Sequence, residues 1–175
     1  MRCQGFLSLP PLDDLKEYLS VDESSPSGLR WIKPVRPGRI KPGDVAGKQE
    51  ADKSWAVRFR CKRYKAHRIV FYLCTGENLE GCLIDHKDLD PSNNKIENLR
   101  KADNSKNQAN TLKRAGLTSK YKGVSWSKQA NKWKAGIYIN KKQKHLGYFE
   151  DELEAALCYD RAAGEHFGAY AKLNF

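Results

Sequence analysis

Long hydrophobic runs are missing from this chain of 175 residues. The longest apolar stretch, 69–74, is far shorter than the roughly 20 apolar residues that span a bilayer. The first residues show no apolar stretch after a basic start, so no signal peptide is predicted. No internal repeat and no low-complexity tract is visible either. These absences argue against membrane, secreted and repeat proteins, and we expect a soluble globular protein in the cytoplasm.

The chain also has few cysteines, and their spacing does not suit a disulfide framework or a zinc site. The chain has five cysteines, an odd number, and no two of them form a Cys-x-x-Cys pair. Disulfide frameworks and zinc knuckles need paired cysteines at short spacings. We therefore expect reduced, mostly buried thiols and no zinc.

Positive charge is what the chain has in excess. The formal net charge is +11, which favours a polyanion, and above all a nucleic acid, as the partner. Residues 1–50 carry 8 basic and 7 acidic side chains, residues 51–118 carry 14 and 8, and residues 119–175 carry 10 and 6. The basic excess therefore begins near residue 51 and continues to the end.

The middle of the chain predicts a mixed α and β segment. Residues 55–61 alternate apolar and basic side chains, the period of a half-exposed strand, with Arg58 and Arg60 on one face. Residues 67–75 predict a helix that ends at Gly76. Residues 81–84 predict a short strand, and 85–94 a polar loop that includes Asn93 and Asn94. Residues 96–110 predict a second helix.

A set of candidate catalytic residues lies at and around this predicted loop. Asp85 and His86 are adjacent at a strand end, and Asn98 and Asn107 follow 12 and 21 residues after His86. A neutral imidazole can take a proton from an attacking water. A carboxylate and an amide carbonyl are oxygen ligands that suit a hard divalent cation. This combination is typical of phosphodiester hydrolysis.

The segments Ile84-Asp85-His86, Asn93 to Arg100 and Asn107 to Asn110 resemble the HNH motif of homing endonucleases, which occur in phages and mobile introns. The likeness covers most of residues 10–112. It implies that His86 is the general base, that Asp85 and Asn107 hold one divalent metal ion, and that Asn98 orients the histidine. The ion expected is Mg²⁺, with Mn²⁺ as a substitute. Asn110 competes with Asn107 for the role of second ligand, and His67 is expected to be a structural, hydrogen-bonded histidine.

The last third of the chain predicts a separate small unit. Residues 121–126, 132–139 and 144–149 predict three strands, and 151–167 an amphipathic helix. On the second strand, Trp133, Ala135, Ile137 and Ile139 share one face, and Lys132, Lys134, Gly136 and Tyr138 share the other. The apolar face should pack on the helix, which leaves the basic face for solvent or phosphates.

This unit resembles the Apetala/ethylene-response-factor DNA-binding domain. The likeness is carried by Tyr121 to Val124, Lys132 to Ile137, His145 to Phe149, Glu154 to Ala163, and Leu173 to Phe175. It implies that exposed sheet residues contact the major groove of DNA. The DNA-binding residues expected from the charge pattern and this resemblance are Lys122, Trp126, Lys128, Lys132, Lys134, Tyr138, Lys144 and His145, with Arg58 and Arg60 beside the nuclease site.

Together these features predict an α+β protein, in which a ββα-metal HNH nuclease core precedes a three-stranded antiparallel sheet packed on one helix. The predicted domains are a nuclease at 1–112 with its core near 55–110, a linker at 113–119, and a DNA-binding domain at 120–175. The function expected is that of a site-directed DNA endonuclease of the homing type, encoded by a phage and acting in the host cytoplasm. The partner is double-stranded DNA, and the protein is a monomer or a weak dimer. The alternatives are a DNA-binding regulator that does not cleave and an RNA-binding protein.

Overall fold

The computed structural model describes residues 8–33, 40–113, 118–140 and 142–175. Its contacts divide the chain into two compact units, Met1–Ala102 and Asp103–Phe175. This division lies upstream of the predicted linker at 113–119, of which residues 114–117 fall outside the described residues. The domain boundary within 103–119 stays a prediction.

Small antiparallel sheets surround one central helix in the first unit. Its elements in chain order are α1 Leu12–Tyr18, β1 Leu19–Val21, β2 Leu29–Trp31, β3 Lys48–Gln49, β4 Trp55–Phe59, β5 Lys62–Lys65, α2 Ala66–Thr75, β6 Leu83–His86, a 3₁₀ helix Ile96–Asn98 and β7 Leu99–Ala102. β1 pairs with β2, β4 pairs with both β3 and β5, and β6 pairs with β7, all antiparallel.

The α2 helix is the centre of this unit because its apolar residues recur at helical spacing. Ala66, Ile69 and Val70 are fully buried and pack in one cluster with Leu15, Leu29, Val57 and Phe59. Gly76 ends the helix in the left-handed region at φ 68°, where glycine meets no Cβ penalty. The core thus fixes α2 between α1 and the strands.

Arg68 joins α2 to the chain that leads into β6. Its guanidinium donates hydrogen bonds to the Cys82 carbonyl at 2.7 Å and to the Leu79 carbonyl at 3.1 Å. The residue is only 5% exposed, so these carbonyls satisfy a buried cation that would otherwise be costly. The start of β6 is therefore held against α2.

One expectation from the sequence is wrong here. Residues 96–110 were expected to form one helix, but Leu99–Ala102 is a strand, with a 3₁₀ helix before it and α3, Asn104–Ala109, after it. In the register of the β6–β7 pair, Asp85 faces Arg100 and His86 faces Leu99. Pairing with β6 decides the conformation of this segment, and such a tertiary interaction overrides local helix propensity.

The second unit is a three-stranded antiparallel sheet with a helix packed on it, as predicted. Its elements are α3, β8 Val124–Ser127, β9 Lys132–Ile139, β10 Lys142–Phe149, α4 Glu152–Phe167 and a 3₁₀ helix Gly168–Tyr170. β9 is the central strand, with β8 and β10 on either side. Ala135 and Ile137 of β9 are buried with Ala155, Ala156, Tyr159 and Ala163 of α4, which confirms the mixed α+β fold.

Two contacts fix the edges of this unit. Gly123 has a φ of 77°, and a Cβ at this position would lie 1.9 Å from the ring of Tyr159, so only glycine fits. The Asp160 carboxylate accepts hydrogen bonds from the backbone N–H groups of Asn174 and Phe175 and from the Asn174 amide, at 2.9 to 3.1 Å. The last residues of the chain are therefore held on α4.

Candidate active site and DNA-binding face

Asp85 and His86 are the last two residues of β6. Asp85 is only 6% exposed, and its Oδ2 accepts a hydrogen bond of 2.9 Å from the Arg100 guanidinium across the strand pair. A carboxylate offers several lone pairs, so one arginine contact leaves capacity for a cation. The sequence prediction that these two side chains lie at one strand end is thus met by the geometry.

The His86 ring contacts two side chains from different parts of the unit. Its Nε2 lies 3.0 Å from Oδ1 of Asn94. The His67 ring, from α2, packs edge-on against it, with 4.8 Å between ring centroids and 78° between planes. Two contacts therefore position the His86 ring, one with the His67 ring and one between Nε2 and the Asn94 amide. A general base must be positioned in such a way.

His67 differs from its expected role. It was expected to be hydrogen-bonded, but its Nδ1 is buried and has no hydrogen-bond partner among the described residues. Burial, reinforced by the nearby His86, Arg68 and Lys65, lowers the pKa of His67 from 6.5 to about 3, although Asp52 acts in the opposite direction. His67 is therefore neutral at physiological pH and adds no charge beside His86.

The Asn98 side chain lies in the same region but holds the loop between β6 and β7. Its Oδ1 accepts from the Asp88 N–H at 3.1 Å, and its Nδ2 donates to Asp88 Oδ1 at 2.9 Å and to the Asn93 carbonyl at 2.8 Å. The backbone N–H of Lys87 donates to the Asn98 carbonyl at 2.9 Å. Asn98 thus shapes the turn that follows His86, whereas the amide next to the ring is that of Asn94.

Asp88 in this loop is held ionised by the same amides. Burial acts to raise the pKa of Asp88, but hydrogen bonds from the Asp90 backbone and from the Asn93 and Asn98 side chains outweigh it and lower the pKa. The loop is therefore an ordered, hydrogen-bonded turn next to the candidate base.

Asn94 was expected to be a loop residue, and its role was missed. It is 4% exposed, and its Nδ2 donates to the Ser27 carbonyl at 2.9 Å. Ser27 is distant in sequence, so an Asn-Asn pair in a polar segment carries no local signal that one amide is buried. Only the packing of the β1–β2 turn against this segment distinguishes Asn94 from Asn93.

Asn107 and Asn110, the two candidates for the second metal ligand, both lie in the second unit, Asn107 in α3 and Asn110 just after it. The pairing of either residue with Asp85 stays a prediction. Among the described ranges, no group of three or more His, Cys, Asp and Glu side chains could hold a metal ion. The donor set predicted from the sequence, a carboxylate with an amide oxygen, suits a hard cation such as Mg²⁺.

Several of the predicted DNA contacts share an exposed sheet face of the second unit. Tyr138 is 53% exposed, and His145 on β10, paired with Gly136, is exposed on the same face. Lys144 is exposed as well, but it pairs with Ile137 and therefore lies on the opposite face, on the side of α4. The His145 ring packs on that of Tyr148 at 4.6 Å, and Trp126 packs edge-on against Trp133 at 5.1 Å. Lys128 is exposed in the turn after β8, Lys134 is partly buried on β9, and Lys132 contacts Glu150 at 2.7 Å.

Lys122, also predicted to contact DNA, is used inside the second unit. Its Nζ donates to the carbonyls of Ala109 at 2.5 Å, Thr111 at 2.8 Å and Gln108 at 3.4 Å. These carbonyls end α3, where a cation stabilises the unpaired groups. Burial lowers the pKa of Lys122 to about 8, with Asp160 acting in the opposite direction. Its contacts are those of a helix cap.

The two arginines predicted beside the nuclease site differ in their surroundings. Arg58 on β4 is exposed and lies opposite Arg63 of β5 in the strand register. Arg60, in the turn that follows, contacts Asp14 and lies over the Phe59 ring at 5.3 Å. Arg58 is thus the more accessible of the two for a phosphate.

Comparison with known proteins defines the class to which this site belongs. The family model described as HNH endonuclease matches residues 64–109, which contain Asp85, His86, Asn94, Asn98 and Asn107. The first unit therefore carries most of an HNH endonuclease domain, and the predicted family is confirmed.

A relative extends this likeness over most of its own length. The chain is 34% identical over 112 residues to Protein 3.8 of Escherichia phage T7, an alignment that covers 62% of this chain and 92% of that protein. The chain belongs to the same family as this phage protein.

The chain also has relatives of another kind. Over 58 residues, a third of the chain, it is 38% identical to the AP2-like ethylene-responsive transcription factor TOE2 of Arabidopsis thaliana and to APETALA2-like protein 2 of Oryza sativa. The match covers only 12% and 13% of those plant proteins. No solved structure matches the chain, and none of the described helices has the length and apolar character needed to cross a bilayer.

Proposed function

We propose that this protein is a site-directed DNA endonuclease of the homing type, which hydrolyses a phosphodiester bond with one divalent metal ion and His86 as general base. The observation that carries the proposal is the fixed His86 ring at the end of β6, next to the buried Asp85 carboxylate. The HNH family match at 64–109 supports the same chemistry.

In this proposal His86 takes a proton from the water that attacks the phosphorus. Asp85 would hold the metal ion together with the amide oxygen of Asn107 or Asn110. When bound, the cation would shield the charge that develops on the leaving oxygen. Arg100 keeps the Asp85 carboxylate oriented through Oδ2, and Asn98 keeps the turn after His86 in shape. These contacts reduce the reorganisation that the reaction requires.

The C-terminal sheet would bind the target site on double-stranded DNA through Tyr138, His145 and Lys134, which share the face of the sheet opposite α4. Lysines contribute phosphate contacts, and side chains on a sheet that enters the major groove can read bases. Because both units are on one chain, binding of the sheet raises the local concentration of the nuclease at nearby phosphates. The likeness to plant transcription factors supports this part of the proposal.

A DNA-binding regulator that does not cleave is the alternative. The observation that favours it is the Arg100 guanidinium, which already bonds one oxygen of the carboxylate that would hold the metal. In that case the fold of the nuclease would persist as a scaffold while the C-terminal sheet performs the function.

Cleavage of supercoiled plasmid that carries the target region of the source genome tests the proposal. Wild type, His86→Ala and Asp85→Ala are compared with Mg²⁺ and with EDTA, and binding is followed on the same DNA by gel shift. Exposed His166 on α4 supplies a matched control, His166→Ala. We expect metal-dependent cleavage in wild type and the control, and binding without cleavage in both site variants. Wild type that binds this DNA but does not cut it with Mg²⁺ or Mn²⁺ would establish the alternative.

A further inference from the structure

The turn between β1 and β2 is a rigid support for the candidate active site. Ser25 and Ser27 are buried, and their hydroxyls donate to the Leu29 carbonyl at 2.8 and 3.1 Å. Gly28 follows at φ 77°, and a Cβ at this position would lie 3.1 Å from Cβ of Asn94. The turn is therefore fixed internally and packs closely against Asn94.

This packing decides which way the Asn94 amide points. Its Nδ2 lies 2.9 Å from the Ser27 carbonyl oxygen, which can only accept a hydrogen bond. The NH₂ group must therefore face Ser27, and Oδ1 must face the other neighbour, Nε2 of His86 at 3.0 Å. With the residue 4% exposed, water offers little alternative to these two partners.

An amide oxygen is an acceptor without a proton of its own, so Nε2 of His86 must be the donor in this pair. A neutral imidazole carries one N–H, and its lone pair is then on the other nitrogen, Nδ1. The orientation of a ligand or base imidazole is commonly fixed in this way by the hydrogen bond at its second nitrogen.

We propose that Asn94, oriented by the Ser27 carbonyl, is the positioning residue that holds His86 in the Nε2–H tautomer and makes Nδ1 the nitrogen that accepts the proton. The activity part of this inference rests on the proposed nuclease function, whereas the tautomer does not. When one proton passes from water to Nδ1, the ring becomes an imidazolium whose Nε2–H still donates to Asn94. The same hydrogen bond therefore serves the ring before and after proton transfer.

The tautomer is tested directly by long-range ¹H–¹⁵N NMR of the full chain labelled with ¹⁵N-histidine, in a mildly alkaline buffer. The His86 signals are assigned by their loss in His86→Gln. We expect a protonated Nε2 and an unprotonated Nδ1 in wild type. A protonated Nδ1 in wild type would overturn the proposal, whether or not any variant folds.

Three variants test the role of Asn94. Asn94→Leu removes the acceptor and should produce a mixture of tautomers, whereas Asn94→Asp keeps an acceptor and should keep the Nε2–H signal. Asn93→Ala is the matched control, because this neighbouring amide donates to Asp88 at 2.7 Å and not to the ring. Its His86 spectrum should match that of wild type. Wild-type tautomer populations in Asn94→Leu would refute the assignment.

Activity completes the test on the plasmid substrate. We expect kcat of Asn94→Leu to fall about 10- to 100-fold, the range for loss of a residue that supports a site ligand, with KM little changed and partial rescue in Asn94→Asp. If KM and kcat fall together in all three variants, or if kcat does not fall in Asn94→Leu, Asn94 does not act through His86. If wild type shows the Nε2–H tautomer but cuts no DNA, the nuclease proposal fails while the assignment of the tautomer stands.

Discussion

The partly buried, neutral His67 ring predicts that the stability of the first unit decreases in acid. Its pKa is 6.5 for an exposed ring and about 3 in the folded chain, chiefly because of burial. Between these values the unfolded chain takes up a proton that the folded chain excludes, so the free energy of unfolding falls as the pH falls. Between about pH 7 and about pH 5, protonation of His67 in the unfolded chain lowers the free energy of unfolding by about 2 kcal/mol.

His67→Phe isolates this contribution, because phenylalanine keeps a planar ring without a titrating nitrogen. Amide hydrogen exchange of peptides from α2 reports the opening of the first unit separately from the second. Over the same pH range, the free energy of opening measured by exchange should decrease by about 2 kcal/mol more in wild type than in His67→Phe. His166→Phe, an exposed histidine of α4, serves as the control and should retain the pH dependence of wild type. An equal pH dependence in wild type and His67→Phe would refute the lowered pKa of His67.

Further predictions concern the second unit. Lys122→Met should lower the stability of this unit by about 1 kcal/mol, because three exposed or partly buried carbonyls lose a charged donor. The salt dependence of DNA binding should change little. Lys134→Met should instead reduce the salt slope by about one; an equal reduction in Lys122→Met would make Lys122 a phosphate contact. Gly123→Ala should destabilise the second unit by about 2 kcal/mol or more, because the new Cβ meets the Tyr159 ring. Gly164→Ala is the control and should not destabilise α4, because a Cβ there has no atom within 4 Å. Urea unfolding measures the stability of both variants. Asp160→Ala should cost about 2–4 kcal/mol by leaving the N–H groups of Asn174 and Phe175 unpaired, and normal stability in that variant would contradict the role of Asp160 at the chain end.

Lys122 shows how one charged residue is assigned differently by sequence and by structure. In the sequence it is one of many lysines in a basic unit and resembles a phosphate contact. In the fold its Nζ lies among three carbonyls at the end of α3. A lysine reveals such a role only through its tertiary neighbours, because the charge pattern is the same in both cases.

Residue types and their spacing along the chain are enough to predict the family and the elements with strong periodicity. The Asp-His pair with asparagines at fixed spacings predicts the HNH class, and the alternation in 132–139 predicts a strand with Ala135 and Ile137 inside and Tyr138 outside. These features depend on local order along the chain, where residue type and spacing suffice. They set the kind of chemistry and the kind of partner to be tested.

Tertiary structure decided what depends on contacts between distant segments. Leu99–Ala102 is a strand because β6 offers it hydrogen-bond partners, although its own sequence also suits a helix. Asn94 contacts His86 because Ser27, far away in sequence, fixes its amide, and His67 is neutral because α2 buries it against that ring. Neighbouring side chains and strands set all three properties: the conformation of a weakly periodic segment, the orientation of an amide and the pKa of a histidine. Only the fold brings these neighbours together.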